Sequence, residues 1–170
     1  RRIDELGRVV IPKEIRRTQR IHSGDALEIF TDGKGEVVFK KYSPLAELGE
    51  PAAAYADVLA RRLGCGVAVC DREKIVAAAG AGRSELLGEP LPPELDALLA
   101  RRKLYTAPEE PLHRVALGSR WLLCAAPVLV HGDIEGGVLL PGMRRDAVPD
   151  PEAIRAAATA AEFLARWMGE

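Results

Sequence analysis

Twelve consecutive residues, Leu6-Gly7-Arg8-Val9-Val10-Ile11-Pro12-Lys13-Glu14-Ile15-Arg16-Arg17, constrain this chain more than any other stretch. Gly7 tolerates positive φ and suits a turn. Val9, Val10 and Ile11 are β-branched and read as a short strand. Pro12 has no N–H for a ladder, so it ends that strand and stands as the first residue of a helix. Lys13, Arg16 and Arg17 then fall at i, i+3 and i+4, which puts three cations on one side of the helix. Arg8 extends the same positive patch. A basic strand-turn-helix of this kind is a surface for phosphates.

The rest of the first forty residues is strand and turn. Arg1-Arg2-Ile3 reads as the end of a strand, and residues 13–19 as a helix of about two turns. Ser23-Gly24-Asp25 is turn chemistry. Leu27-Glu28-Ile29-Phe30 and Val37-Val38-Phe39-Lys40 are strands joined through Asp32-Gly33-Lys34-Gly35, a glycine-rich hairpin turn. About forty residues bury too little surface to fold alone without disulfides or a metal. This segment has neither, so its apolar strands imply a core shared with a second copy, an obligate homodimer. Charge singles out the same segment. Residues 1–42 hold ten Lys/Arg against seven Asp/Glu, a net of +3, while the rest of the chain carries −4. A basic head on an acidic body fits nucleic-acid binding confined to the head.

At 170 residues, 48% hydrophobic and 29% charged, the chain has the composition of one ordinary or two small soluble domains. No apolar run approaches the ~18 residues of a membrane span, and no signal peptide is recognisable. The sequence opens on Arg1 without a methionine, so a few leading residues are expected to be missing. The expected location is cytoplasmic and nucleoid-associated. Cys65, Cys70 and Cys124 are odd in number, lie in apolar surroundings and lack histidine or acidic partners. They read as buried free thiols, with no metal site and no cofactor.

Residues 44–64 are helical in character. Ser43 followed by Pro44 is a good N-cap and first-position pair. Leu45, Leu48, Ala52, Tyr55 and Leu59 recur at 3, 4, 3, 4, a seam suited to a linker helix paired along the dimer axis. The alternative is one amphipathic helix packed on its own domain. Gly49 and Pro51 predict a kink or restart. Residues 65–170 alternate strands and helices: strands at 66–70 and 75–79, a helix over 92–104, a short strand at 112–116, strands at 121–130 and 134–140, and a terminal helix over 152–168. Ile154, Ala158, Ala161, Leu164 and Met168 line one side of that last helix. The expectation is an α+β domain on an antiparallel sheet.

The residues of the head, from Arg1-Arg2-Ile3-Asp4-Glu5-Leu6-Gly7-Arg8 through Arg16-Arg17, resemble the AbrB-like family of bacterial DNA-binding domains. Gly24-Asp25-Ala26-Leu27-Glu28-Ile29 and Lys40-Lys41-Tyr42-Ser43-Pro44 extend the resemblance. It implies a dimeric swapped-hairpin β-barrel over 1–43 that binds double-stranded DNA. Its DNA-binding positions would be Arg1, Arg8, Arg16 and Arg17, with Arg2 and Lys13 secondary, contacting phosphates and reaching guanine edges. The alternative for these cations is a solvated face paired with Asp4, Glu5 or Glu14. Over 65–170, the strand Ala126-Pro127-Val128-Leu129-Val130 and the following Ile134-Glu135-Gly136-Gly137-Val138-Leu139-Leu140 resemble the closing hairpin of GAF domains. That implies a regulatory or oligomerising unit, and a pocket for a small-molecule effector roofed by residues 81–105. Arg83, Ser84 and Arg120 are weak candidates for an anionic ligand, with surface solvation favoured. The whole resembles a homodimeric or homotetrameric regulator of late sporulation genes, both activating and repressing. A MazE-like antitoxin shares the head's fold and is the second reading. No nucleophile–base pair or phosphate cradle points to an enzyme.

Overall fold

The computed structural model describes residues 1–108 and 113–169, and they form two units, Arg1–Tyr42 and Ser43–Glu170. In the first unit the chain turns through Asp4–Gly7, where the Gly7 amide donates to the Asp4 carbonyl and the Asp4 amide to that of Arg8 (both 3.0 Å). Helix α1 (Lys13–Thr18) follows, then β1 (Leu27–Thr31) and β2 (Val37–Lys41), an antiparallel hairpin in the register Leu27↔Lys41 to Thr31↔Val37. The hairpin turn is closed by Asp32, whose Oδ1 accepts from the amides of Lys34 (3.1 Å) and Glu36 (2.7 Å).

Three expectations for this unit are revised. Residues 1–3 and 9–11 form no strand and pair with none among the described residues. Pro12 takes the N-cap position, with φ −56° and ψ 146°, and α1 starts one residue later. The helix ends where Arg20 takes φ +50° and the Ile21 amide reaches back to the Arg16 carbonyl at 2.7 Å. This is the bonding of a left-handed C-terminal cap without its usual glycine.

In the second unit, Ser43 caps α2 (Pro44–Glu47) as its sequence predicts, its hydroxyl accepting from the Ala46 amide. The same hydroxyl donates to Asp71 at 3.0 Å. The helix breaks at Leu48, and α3 (Gly49–Leu63) restarts with Pro51 in its first turn, where a missing N–H costs nothing. Pro51 is therefore not the break. Residues 44–64, expected as a separate linker, belong to the second unit. Ala52, Ala56 and Ala60 of α3 are buried in its core, and Leu48, Tyr55 and Leu59 pack at the edge. Of the seam residues, Leu45 and Ala52 are buried within the chain's own domain, while Leu48, Tyr55 and Leu59 are partly buried against it.

Strands β3 (Val67–Cys70), β4 (Ile75–Ala79), β5 (Tyr105–Thr106), β6 (Ala116–Leu117), β7 (Arg120–Val130) and β8 (Asp133–Gly142) form one antiparallel sheet. Its order is β4-β3-β8-β7-β5, with β6 pairing β7. Both faces are covered, so β3 is buried along its whole length and shows no polar alternation. On one face Val67, Val69, Cys124, Ala126, Val128 and Val138 meet α3 and α6 (Pro151–Gly169). On the other, Ala68, Cys70, Ile75, Leu122 and Leu139 meet α4 (Arg83–Leu86) and α5 (Pro93–Ala100) through Leu86, Leu95 and Leu99.

The face of α6 differs from expectation. Ala153, Ala157, Ala160, Ala161 and Leu164 are buried, whereas Ile154 and Met168 flank the contact. Alanines permit a closer approach of helix to sheet than the larger residues would. The strand expected over 112–116 begins later, as β6; Leu112 lies outside the described residues. The helix expected over 92–104 is shorter, ending at Ala100 with Arg101 as its C-cap and Arg102 at φ +55°.

Candidate nucleic-acid interface

Among the described residues, none of Arg1–Tyr42 is buried. Ile3, Leu6, Val10, Ile29 and Val37 are each more than half exposed. A side chain of that size contributes about 1.5–3 kcal/mol when fully buried. The unit thus presents two surfaces in one small fold: strand residues with apolar side chains, and a set of cations.

The cations fall on two local structures. Arg1 and Arg2 precede the Asp4–Gly7 turn and Arg8 follows it; Lys13, Arg16 and Arg17 lie on α1. All six are exposed. Asp4 organises the turn. Its Oδ1 accepts from the amides of Leu6 (3.0 Å) and Arg8 (2.7 Å), and its Oδ2 accepts from Arg8 Nε at 2.9 Å. Arg8 is therefore oriented by Asp4, an intramolecular pair on solvated ground. Arg1, Arg2, Lys13, Arg16 and Arg17 make no ion pair among the described residues, so the alternative of pairing with Glu5 or Glu14 is not formed there.

The hydrogen bonds from the Arg8 amide and guanidinium hold the Asp4 carboxyl below its ordinary value. A depressed carboxylate contributes order above its unfolded pKa and loses it as pH falls through the folded one. The Leu6 and Arg8 amide resonances are thus expected to titrate together, with a midpoint below the ordinary aspartate value. The Asp4→Asn variant should abolish that titration. A midpoint at or above the ordinary value, or a titration that survives in the variant, would show that Asp4 does not hold the turn.

In the second unit, Arg120 is neither solvent-facing nor open to a ligand. It is 6% exposed, and its Nε and Nη2 donate to the two carboxylate oxygens of Glu85 at 3.1 and 3.3 Å, while Ser119 donates to the same carboxylate at 2.6 Å. Gly82, at φ +92°, lets the backbone pass the guanidinium; a Cβ there would lie 2.4 Å from Arg120 Nε. The three cysteines are free, and Cys70 and Cys124 are buried. Burial pushes both thiols up to about 12. Missed by sequence reasoning were β5, α4 and the burial of Arg114, for which a two-residue strand, a single helical turn and a lone arginine offer no periodic signal.

A small cation-bearing unit is thus followed in the chain by a sheet covered by helices on both faces. Residues 47–169 match the family described as "Stage V sporulation protein T C-terminal, transcription factor", and residues 1–46 match "Antidote-toxin recognition MazE, bacterial antitoxin". The chain is 40% identical over 179 aligned residues to stage V sporulation protein T of Bacillus subtilis (strain 168), covering 99% of this chain and 95% of that protein. Over 44 residues it is 57% identical to the transition state regulatory protein AbrB of the same organism, covering 26% of this chain and 45% of that one. A type II free methionine-R-sulfoxide reductase from Thermoplasma acidophilum shares the fold at a TM-score of 0.53 and 14% identity, covering 71% of this chain and 94% of that chain. The cofactor-binding GAF domain of the nutrient sensor CodY from Clostridium difficile aligns at 0.46 and 14% identity, covering 66% and 81%. The chain belongs to the stage V sporulation protein T C-terminal family of transcription factors. It is a sporulation transcriptional regulator with an AbrB-like first unit.

Proposed function

We propose that this regulator acts as a homodimer whose paired first units grip double-stranded DNA through Arg1, Arg8, Arg16 and Arg17, with Arg2 and Lys13 assisting. The observation that carries this reading is the first unit itself, which has no buried residue among those described and leaves its strand residues exposed beside Arg1, Arg2, Lys13, Arg16 and Arg17, which make no ion pair among the described residues, and Arg8, which pairs with Asp4. A second copy that interlocks with residues 1–3, 9–11 and the β1–β2 hairpin supplies the core these strands lack. It also doubles the four principal arginines into a symmetric array. The swapped-hairpin barrel is the arrangement that meets both needs. The second unit then adjusts assembly, up to a tetramer, or affinity, in response to a small molecule. The targets are late sporulation genes, activated at some and repressed at others, and the protein works in the cytoplasm on the nucleoid.

An antitoxin is less well supported, although the match to residues 1–46 carries that description. The described residues 43–108 and 113–169 form a packed unit with two apolar cores, not an extended toxin-wrapping segment. An enzyme is also less well supported, since the family that matches residues 47–169 is described as a transcription factor.

The test is the salt dependence of DNA binding by the full chain. If the dimer neutralises about six to eight phosphates, affinity falls by roughly three to five decades between 50 and 200 mM salt. A flat response removes the DNA-gripping role.

A further inference from the structure

Arg114 lies two residues ahead of β6 and is 7% exposed. Its Nη1 donates to the Ala147 carbonyl, but its Nε and Nη2 are buried with no hydrogen-bond partner among the described residues. These two nitrogens form one edge of the guanidinium, a fork of parallel N–H groups that fits two oxygens of a carboxylate or phosphate. The same domain shows that edge in use, where Arg120 offers its Nε and Nη2 to the two oxygens of Glu85. Asp146, whose carboxyl the Arg114 charge helps to lower, is already taken by Arg144, at 2.9 Å from Nε and 2.5 Å from Nη2.

A second unpartnered group stands nearby. The Tyr105 hydroxyl is buried without a partner among the described residues. Burial raises its phenol above the ordinary value while the Arg114 charge pulls the other way, which places the two groups within electrostatic reach. The fold brings them together at one edge of the sheet. β5 pairs Tyr105 with Ala125 of β7, and β6 pairs with β7 at Trp121 and Arg120. Tyr105 and Val115 both pack against the apolar cluster that faces α4 and α5, with Leu117 and Leu122 among its members. Burying a guanidinium edge and a phenol without partners is strongly unfavourable. One anion accepting from both groups removes the penalty.

We propose that Arg114 and Tyr105 form a binding site for a small organic anion, its paired oxygens held by the Arg114 fork and the Tyr105 hydroxyl and its body against the cluster under α4 and α5. This rests on the reading of the second unit as the effector-responsive part and gives that effector a chemical class.

The experiment titrates the full chain with sodium acetate, sodium butyrate and sodium phosphate, at ionic strength matched with sodium chloride, by calorimetry and thermal melting. Saturable binding of at least one probe is expected. Arg114→Met should weaken it by at least about tenfold. Arg114→Lys keeps the charge but not the fork, and should weaken it measurably too, as should Tyr105→Phe. In chloride alone, Arg114→Met should melt no lower than the wild type, because it removes an unpaired buried cation. Preference for butyrate assigns a carboxylate with an apolar body; preference for phosphate assigns a phosphoryl compound. The site is overturned if no probe binds, if binding is unchanged in Arg114→Met, or if that variant melts lower in chloride, which would mean Arg114 is satisfied within the chain. DNA affinity measured with and without the bound probe tests the regulatory reading separately. Arg114-dependent binding that leaves DNA affinity unchanged keeps the site and removes its regulatory role.

Discussion

Replacing Arg16 and Arg17 together with glutamine is expected to lower affinity for duplex DNA by about two to three decades near 0.1 M salt. In a dimer the change deletes four cations. The plot of log affinity against log salt should become shallower by about three to four units, at roughly 0.9 for each phosphate no longer neutralised. Both side chains are exposed on α1 and make no ion pair among the described residues, so the loss is not offset by a freed internal partner. Glutamine has nearly the helix propensity of arginine, so α1 and the dimer should persist by circular dichroism and sedimentation. Arg8→Gln is a different experiment. It removes a cation and also takes from Asp4 its side-chain donor, so part of its effect enters through the Asp4–Gly7 turn. An unaltered salt slope in the Arg16/Arg17 variant would remove these residues from the interface.

The second large effect is expected at Gly136. A Cβ there would sit 1.9 Å from the Cys70 carbonyl oxygen, 2.6 Å from Leu45 Cδ1 and 2.9 Å from Asp71 Cα. Two of these neighbours are backbone of β3 and its following turn, and β3 is held to β8 through Cys70↔Gly137. No rotamer change relieves the clash, so the sheet itself must shift. Gly136→Ala is expected to destabilise the second unit by about 3–4 kcal/mol, at the upper end of overpacking effects. Its melting temperature should drop by roughly 10 °C. Gly137→Ala is the control, because its nearest neighbour is Leu99 Cδ2 at 2.8 Å, the end of a side chain that can turn aside. That variant should cost about 1 kcal/mol. Equal melting temperatures for the two variants would show that the β3–β8 approach is not the constraint. The glycine at this place in the hairpin was one of the features that resembled a GAF domain, and the Cys70 carbonyl gives it a reason.

Local chemistry was legible wherever neighbours in sequence are also neighbours in space. Ser43 and Pro44 start α2 as their types require. Strand β4 spans the five residues expected, Ile75–Ala79, and the hairpin turn falls on Asp32–Gly35. The faces of the long helices were less legible. The apolar seam of residues 45–59 suits a partner helix or a sheet equally well. Only the sheet's proximity selected Ala52, Ala56 and Ala60, as it selected the alanines of α6 over Ile154 and Met168. Size marks a residue as apolar, but closeness of approach decides which apolar residue faces the core.

The site divides in the same way. The cations of residues 1–17 were visible as a patch because a turn and a two-turn helix are local structures. The bond from Arg8 to Asp4 is equally local and was within reach of the same reasoning. Arg120 and Arg114 were not, since their environments come from elements far apart in the chain. Glu85 on the single-turn helix α4 satisfies Arg120, while Ala147, beyond β8, meets one edge of Arg114 and leaves the other unpartnered among the described residues.

What the sequence determined by itself is the division of labour: a basic unit too small to hold a core, followed by an acidic unit large enough to hold one. Composition, turn residues and strand periodicity suffice for that, because they follow from short-range sterics and from how much surface a given length can bury. The tertiary structure alone decided that residues 44–64 belong to the second unit, that Gly136 cannot carry a side chain, and that one arginine is closed by a carboxylate while another holds a bidentate edge buried. Those outcomes depend on which backbones approach within a few ångströms across the sheet, a long-range property that no local pattern encodes.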